Sequence, residues 1–330
     1  MKKMLLIMVS LLLPLVAGAQ ELDMQKYLFG HIGDAYEWHI TTINEKEIAI
    51  PLPCIVIEDG IHVFTLHNME EKGYTLNENG KIVNAATLER PFDISITKNV
   101  AGMMINAALL VLLVLLTARW YRRHDALEQA PKGVPGIMEM MVTMVEDDII
   151  KDCVGKDYKR YSPYLLTAFF FIFISNLMGI IPFFPGGANI TGNIAVTLTL
   201  AVFTFLAVNL FGNKHYYKDI FWPDVPMFLK AFPLMPLIEV IGMFTKPFSL
   251  MIRLFANILA GHFMILGVVA VVFLTAKMGV AMNAGLSVIA VLFGVFMDVL
   301  ELLVAFIQAY VFTMLSSVFI GLSRQEPEKE

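Results

Sequence analysis

Two apolar stretches of about 41 residues each, Leu234 to Thr275 and Met282 to Leu322, dominate the second half of this chain. As helices rising 1.5 Å per residue, each would run roughly 60 Å. A bilayer's hydrocarbon core is only about 30 Å thick. Either each stretch breaks into two spans, or both lie tilted by about 60° from the membrane normal, beyond the ordinary range of tilts. Lys246-Pro247 is the only polar break inside the first stretch, so a hairpin of two long tilted helices is the expectation. Composition agrees. Of 330 residues, 57% are apolar and 16% charged, with a net charge of −5 and a mean hydropathy of +0.68. That leaves too few charges for a soluble surface and no broad basic face for nucleic acid.

Three shorter spans precede the pair: Val100 to Ala118, Tyr164 to Pro182 and Asn193 to Phe211. With the N-terminus outside, the basic residues of 119–160, 214–230 and the tail from Arg324 fall in the cytoplasm. Only Lys277 remains in an outer loop, and this asymmetry matches the positive-inside rule. Lys2 and Lys3, the apolar run Leu5 to Val16, and Ala17-Gly18-Ala19 form the layout of a cleaved secretory signal peptide, residues 1–19. The mature chain is therefore expected to begin in a bacterial periplasm and to cross the inner membrane five times.

Residues 20–97 form the polar part, read as a small β-rich extracytoplasmic domain. Cys54 to Ile57 and Ile61 to Phe64 flank Asp59-Gly60, a hairpin signal, and Asn79-Gly80 marks a second turn. His31, His39, His62 and His67 lie here without metal-ligand spacing, so no metal or cofactor is expected. Cys54 and Cys153 fall on opposite sides of the membrane and should both be free. Residues 98–323 are the membrane domain and 324–330 a cytoplasmic tail. Gly136 to Cys153, rich in Met and carrying Glu146, Asp147 and Asp148, reads as an amphipathic interfacial helix.

Arg253 is the costly residue. An arginine at a bilayer centre costs about 2.5–3.5 kcal/mol on insertion scales, and it keeps its proton at every accessible pH. It must face water, a carboxylate or both. In an antiparallel hairpin, residues at one depth have a constant index sum. That places Arg253 level with Gln308, and His262 level with Glu301. No carboxylate lies level with Arg253, so its counter-ion is expected on another chain. His262 and Glu301 can exchange protons near neutral pH. Glu239, fourteen residues before Arg253, is a second titratable group nearer the cytoplasm.

The segment Lys246-Pro247-Phe248-Ser249-Leu250-Met251-Ile252-Arg253-Leu254-Phe255-Ala256-Asn257-Ile258-Leu259-Ala260-Gly261-His262 resembles the signature of subunit a of the F-type ATP synthase membrane sector. Asn176-Leu177-Met178-Gly179-Ile180-Ile181-Pro182, Val196-Thr197-Leu198 and Glu301 to Gln308 followed by Ala309-Tyr310 support the resemblance, which covers roughly 95–323. It implies a proton-translocating stator with two half-channels beside a rotating c-ring, held by the subunit b peripheral stalk in a lipid bilayer. Arg253 would face the ring carboxylates, and His262 and Glu301 would line the outer half-channel. Asn257 and Gln308 would neighbour Arg253, and Glu239 would lie on the cytoplasmic exit. Asn193 and Ala195 stand where many members carry an acid and an asparagine. The chain has no nucleotide-binding Gly-x-x-x-x-Gly-Lys-Ser/Thr motif, so no activity is expected of it alone. Two other readings are a secondary transporter with Arg253 binding an anion, and an intramembrane hydrolase built on His262 and Glu301. The first lacks internal repeats and the second a His-Glu-x-x-His motif.

Overall fold

The computed structural model describes residues 33–43, 46–77, 80–125, 128–181, 184–221, 234–275 and 280–325. The signal peptide 1–19, His31, Asn79, Pro182, Lys277, residues 222–230 and the last five residues lie outside the described residues. Described chain falls into two compact units. One holds Leu259–Leu303, and the other holds Asp34–Ile258 with Val304–Glu330.

The second unit opens with short antiparallel strands. β1 (Glu37–Ile43) pairs with β2 (Lys46–Pro51), and β3 (Cys54–Ile57) pairs with β4 (Ile61–Phe64) in the register Cys54↔Phe64 to Ile57↔Ile61. The loop between β3 and β4 is three residues long, closed by Glu58 N–H donating to the Gly60 carbonyl at 3.2 Å. β5 (Tyr74–Leu76) pairs with β6 (Ile82–Asn84), and the short β7 (Phe92–Asp93) adds to β3. Alternation decides the faces: Cys54 and Val56 point inward, with Tyr36, Phe64, Tyr74 and Ile82 closing the core over them. The Ser95 hydroxyl accepts from Ile55 N–H at 2.9 Å, and the Tyr36 phenol donates to Asp93.

Among the described residues, seven longer helices follow. α1 (Lys98–Arg123) exposes its aliphatic residues on most sides and buries one stripe, Lys98, Asn99, Gly102 and Asn106. A Cβ on Gly102 would lie 2.7 Å from the Ala188 Cβ, so glycine is what lets the 186–192 loop rest on α1. α2 (Val134–Val145) is the expected amphipathic helix, with Pro135 in its first turn. It passes without a break into a wide turn of π type over Glu146–Lys151. That turn keeps Ile149 and Ile150 on the buried side with Met138, Met141 and Val145, while Asp147 and Asp148 stay exposed.

α3 (Tyr158–Ile180) and α4 (Ile194–Leu210) carry the next apolar runs. The expected span 193–211 is therefore a 17-residue helix. Asn193, read in sequence as a departure at a channel position, caps α4: its side-chain oxygen accepts from Ala195 N–H at 3.0 Å. The short α5 (Lys214–Phe221) follows. The long pair is α6 (Leu234–Thr275, 42 residues, with Pro247 inside) and α7 (Val280–Arg324, 45 residues). Among the described residues, four helical stretches are long and apolar enough to cross a membrane, and α4 is a shorter apolar helix.

The core of this unit joins Phe169 and Leu165 of α3, Leu250, Leu254 and Ile258 of α6, and Ala309, Phe312 and Ile320 of α7. Hydroxyls cross the same bundle: Tyr164 to Thr204 at 2.8 Å and Thr204 to Ser316 at 3.2 Å. Gly321 lets α7 pass the α2 turn, since a Cβ there would lie 1.9 Å from the Cys153 carbonyl oxygen. The end of α7 is tied down by the Arg324 guanidinium, whose Nε donates to Asp157 at 2.8 Å and Nη1 to the Phe211 carbonyl at 3.1 Å. Cys54 and Cys153 are both free thiols.

Candidate functional site

In the unit Leu259–Leu303, one polar contact joins the two long helices. His262 Nδ1 of α6 lies 2.7 Å from Glu301 Oε1 of α7, within hydrogen-bond distance. The equal-depth argument placed these two together, and the hydrogen bond does so. The carboxyl group is only 5% exposed, and its second oxygen, Oε2, is buried without a hydrogen-bond partner. Gly261 makes the contact geometrically feasible. A Cβ there would stand 3.0 Å from Glu301 Oε1 and 3.4 Å from its carboxyl carbon. One helical turn before Glu301, Asp298 places another carboxylate on α7, and it is exposed. Sequence reasoning passed over both Gly261 and Asp298. The acid was visible as a charge inside an apolar run. The glycine's role depends on a residue forty positions away and leaves no local signal.

In the other unit lies Arg253, read from the sequence as a cation whose counter-ion belongs to another chain. It sits on the exposed face of α6 with Ile252, Ala256 and Asn257, while Leu250, Leu254 and Ile258 face the core. Helical periodicity explains the split, because 253 lies one step off the 250–254–258 stripe. Among the described residues no carboxylate pairs with Arg253. Gln308 is buried on α7, whereas Asn257 is exposed, and no hydrogen bond joins either to Arg253 among the described residues. Glu239 is half-buried near the start of α6, within electrostatic reach of Tyr216 on α5. Burial first, then the Tyr217 and Glu239 charges, hold the Tyr216 phenol above its ordinary value.

A polar layer missed in the sequence crosses the bundle nearby. Asn106 of α1 donates to the Ser175 hydroxyl of α3 at 3.2 Å. Asn176, the next residue, donates to the Ala305 carbonyl of α7 at 3.3 Å and accepts from the Thr191 hydroxyl at 2.5 Å. Asparagines inside apolar helices are the available signal, since an unpaired buried amide costs about 1–3 kcal/mol. Among the described residues, no three His, Cys, Asp or Glu side chains converge as a metal site would require.

Residues 101–321 match the family described as ATP synthase A chain. The chain belongs to that family. Among curated members, "ATP synthase subunit a 2" of Chlorobaculum tepidum is 44% identical over 237 residues, 70% of this chain and 64% of that protein. "ATP synthase subunit a" of Chloroherpeton thalassium is 40% identical over 237 residues, 70% of this chain and 67% of that protein. "ATP synthase subunit a" of Myxococcus xanthus is 41% identical over 238 residues, 70% of this chain and 73% of that protein. The chain thus spans just under two thirds of the length of the first of these relatives. Residues 27–100 match a domain of unknown function (DUF8433), so the two family matches meet in the first turn of α1. As an ATP synthase A chain, the protein has a helical, multi-pass membrane part, and every site residue named above from Asn106 to Gln308 lies within that match.

Proposed function

We propose that this chain is the proton-translocating stator of the ATP synthase membrane sector in a bacterial inner membrane. In this reading α1, α3, α4, α6 and α7 cross the membrane five times, with the N-terminal domain outside, the C-terminus inside and the last two helices lying as a tilted hairpin. A proton enters past the hydrogen-bonded His262/Glu301 couple and neutralises a carboxylate on the c-ring, which then rotates through lipid. Nearly a full turn later that carboxyl releases its proton towards Glu239 and the cytoplasm. A stalk of subunit b holds the stator against this rotation. Each proton moved across 100 mV contributes about 2.3 kcal/mol, so several are needed for one ATP.

The observation that carries the reading is Arg253. It is a permanent cation in the middle of an apolar helix, turned outward, with no carboxylate of its own chain among the described residues. On this reading its partner comes from outside the chain, and a passing carboxylate attracts the guanidinium only while ionised. Two neighbours differ in what they can do with a proton. The imidazole of His262 and the carboxyl of Glu301 can load and unload one; Arg253 cannot and so separates the two half-channels. The test is Arg253→Ala in the assembled enzyme reconstituted into vesicles. Coupled ATP synthesis should be abolished; synthesis at an appreciable rate refutes the assignment.

A further inference from the structure

The proton path makes no use of the N-terminal domain, whose three-stranded sheet is apolar on both faces. β3 is its central strand, with β4 on one side and β7 on the other. The inward residues Cys54, Val56 and Phe64 close the core. On an antiparallel sheet that meets water the outward positions are polar. Here they are Ile57, opposite Ile61 and Phe92, and Ile55, opposite Val63 and bonded through its carbonyl to the Ile94 amide. All but Ile55 are between 36% and 73% exposed. Together they leave about 500 Å² of unbroken apolar surface, near the largest patch that a monomer carries.

Residues 34–38 fix which way this face looks. The Ala35 carbonyl accepts from Lys98 N–H at 2.8 Å, capping the first turn of α1. Tyr36 then reaches the inward side of β7, where its phenol donates to Asp93. Trp38 packs with Ala188 and Ile190, which press on the buried stripe of α1 at Gly102. One segment thus lies against the inward side of the sheet and, through the 186–192 loop, serves the buried side of the helix. The outward face of the sheet looks the other way, as does the exposed flank of α1 that carries Met104, Val111 and Leu115.

We propose that the outward face of this sheet beds into the lipid headgroup and upper acyl layer of the leaflet at which α1 begins. The face continues the lipid-facing flank of that helix. From Lys98 to Ala118 the helix measures about 30 Å, the whole thickness of a hydrocarbon core, so its start is level with the headgroups. Ile94, four residues earlier, is no more than about 13 Å of chain away. A second copy of the chain fits less well. The face is smaller than the roughly 800 Å² per partner of a stable interface, and none of its six positions carries a polar group to set a register. The exposed charges nearest to it are two acids and one base, Glu58, Asp59 and Arg90, so apolar burial rather than attraction to anionic lipid holds it. The inference does not depend on the proton path.

The test uses the full chain in the assembled enzyme, reconstituted into phosphatidylcholine vesicles, with Cys153→Ala as background and the buried Cys54 left in place. Val63→Cys and Phe92→Cys each carry a bimane label, as does the control Lys72→Cys, exposed on a short helical turn of the same domain. Phosphatidylcholine brominated high on its acyl chains should quench the two face labels at least threefold more than the control, and the excess should survive high salt. Equal quenching at all three positions, or an excess that high salt removes, overturns the proposal. So does weak quenching of the face labels joined to strong Förster transfer between differently labelled complexes in one vesicle, since a second copy then covers the face. Ile61→Ser combined with Val63→Ser removes the apolar anchor without touching the core. Quenching of the Phe92→Cys label should then fall at least threefold; unchanged quenching overturns the proposal as well.

Discussion

Gly261→Ala probes how the His262/Glu301 couple is seated. The new methyl group would stand 3.0 Å from Glu301 Oε1, tighter than the 3.4 Å at which ordinary contact begins. Relief requires the carboxyl to retreat by about 0.4 Å, which takes the 2.7 Å bond to His262 towards about 3.1 Å. Because Oε2 has no partner to compensate, the buried carboxyl group cannot recover the weakened bond elsewhere. The loss is about 1 kcal/mol, within the range of one buried hydrogen bond, or about fivefold in rate if the couple passes the proton. Gly261→Val goes further: with the carboxylate expelled from its partner the cost is about 3 kcal/mol, or about a hundredfold. Gly267, on the same helix with nothing within 4 Å of its Cβ position, provides Gly267→Ala as the control for helix propensity. The assay is ATP-driven proton pumping in vesicles, normalised to assembled complex. Wild-type pumping in Gly261→Val would refute the reasoning, as would equal losses in Gly261→Ala and Gly267→Ala.

Two further predictions concern the folded state. Gly321→Ala should lower stability by about 3 kcal/mol, since its Cβ would sit 1.9 Å from the Cys153 carbonyl oxygen and α7 is pinned there by Arg324; thermal unfolding of the purified complex reads it, and an unchanged midpoint refutes it. In the N-terminal domain, burial alone would raise Asp93, but hydrogen bonds from Ser95 and Tyr36 and the Arg90 charge bring its carboxyl below the ordinary value. The Tyr36 phenol moves the other way, raised by burial and by its bond to Asp93. The carboxylate's contribution is therefore present above the unfolded pKa of about 3.9 and lost as pH falls through the lower folded value. The phenol's contribution is present below about pH 10 and lost on the alkaline side. Hydrogen exchange at the Ile55 and Ser95 amides should show protection between these limits, and Asp93→Asn should flatten the acid limb. Acid-insensitive exchange in the unsubstituted chain would refute it.

The parts of the fold legible in the sequence are those written in short-range pattern. Asp59-Gly60 between two alternating runs specifies the β3–β4 hairpin, and the bounds of the runs already leave the three-residue loop that the structure shows. Apolar runs closed by Arg122-Arg123 and opened by Asn193 specify α1 and α4. The index-sum argument reached His262 and Glu301 because a helical hairpin converts sequence position into depth. What stayed hidden depends on who sits opposite. Gly102, Gly261 and Gly321 look alike as glycines in apolar helices, yet they admit a loop, a carboxylate and a backbone carbonyl respectively. The facing of Arg253 was legible only indirectly, from the lack of a carboxylate level with it: depth is read from position, but facing depends on which stripe of α6 the rest of the bundle takes up.

Under the proposed stator function, that facing is what would make the arginine useful. A carboxylate of the same chain beside Arg253 would form a standing ion pair, satisfied at all times and indifferent to any moving partner. Turned outward, the guanidinium keeps an insertion cost of about 2.5–3.5 kcal/mol that is relieved only when an external negative charge arrives. The attraction therefore depends on the partner's protonation state: an ionised carboxyl is held, and a protonated one is released to move on. Lysine would keep the charge but lose the rigid fork and could shed its proton when desolvated, so Arg253→Lys should retain binding of the anion better than it retains the barrier to leakage. The His262/Glu301 couple, by contrast, is partnered within the chain, and the second carboxyl oxygen is buried without a hydrogen-bond partner.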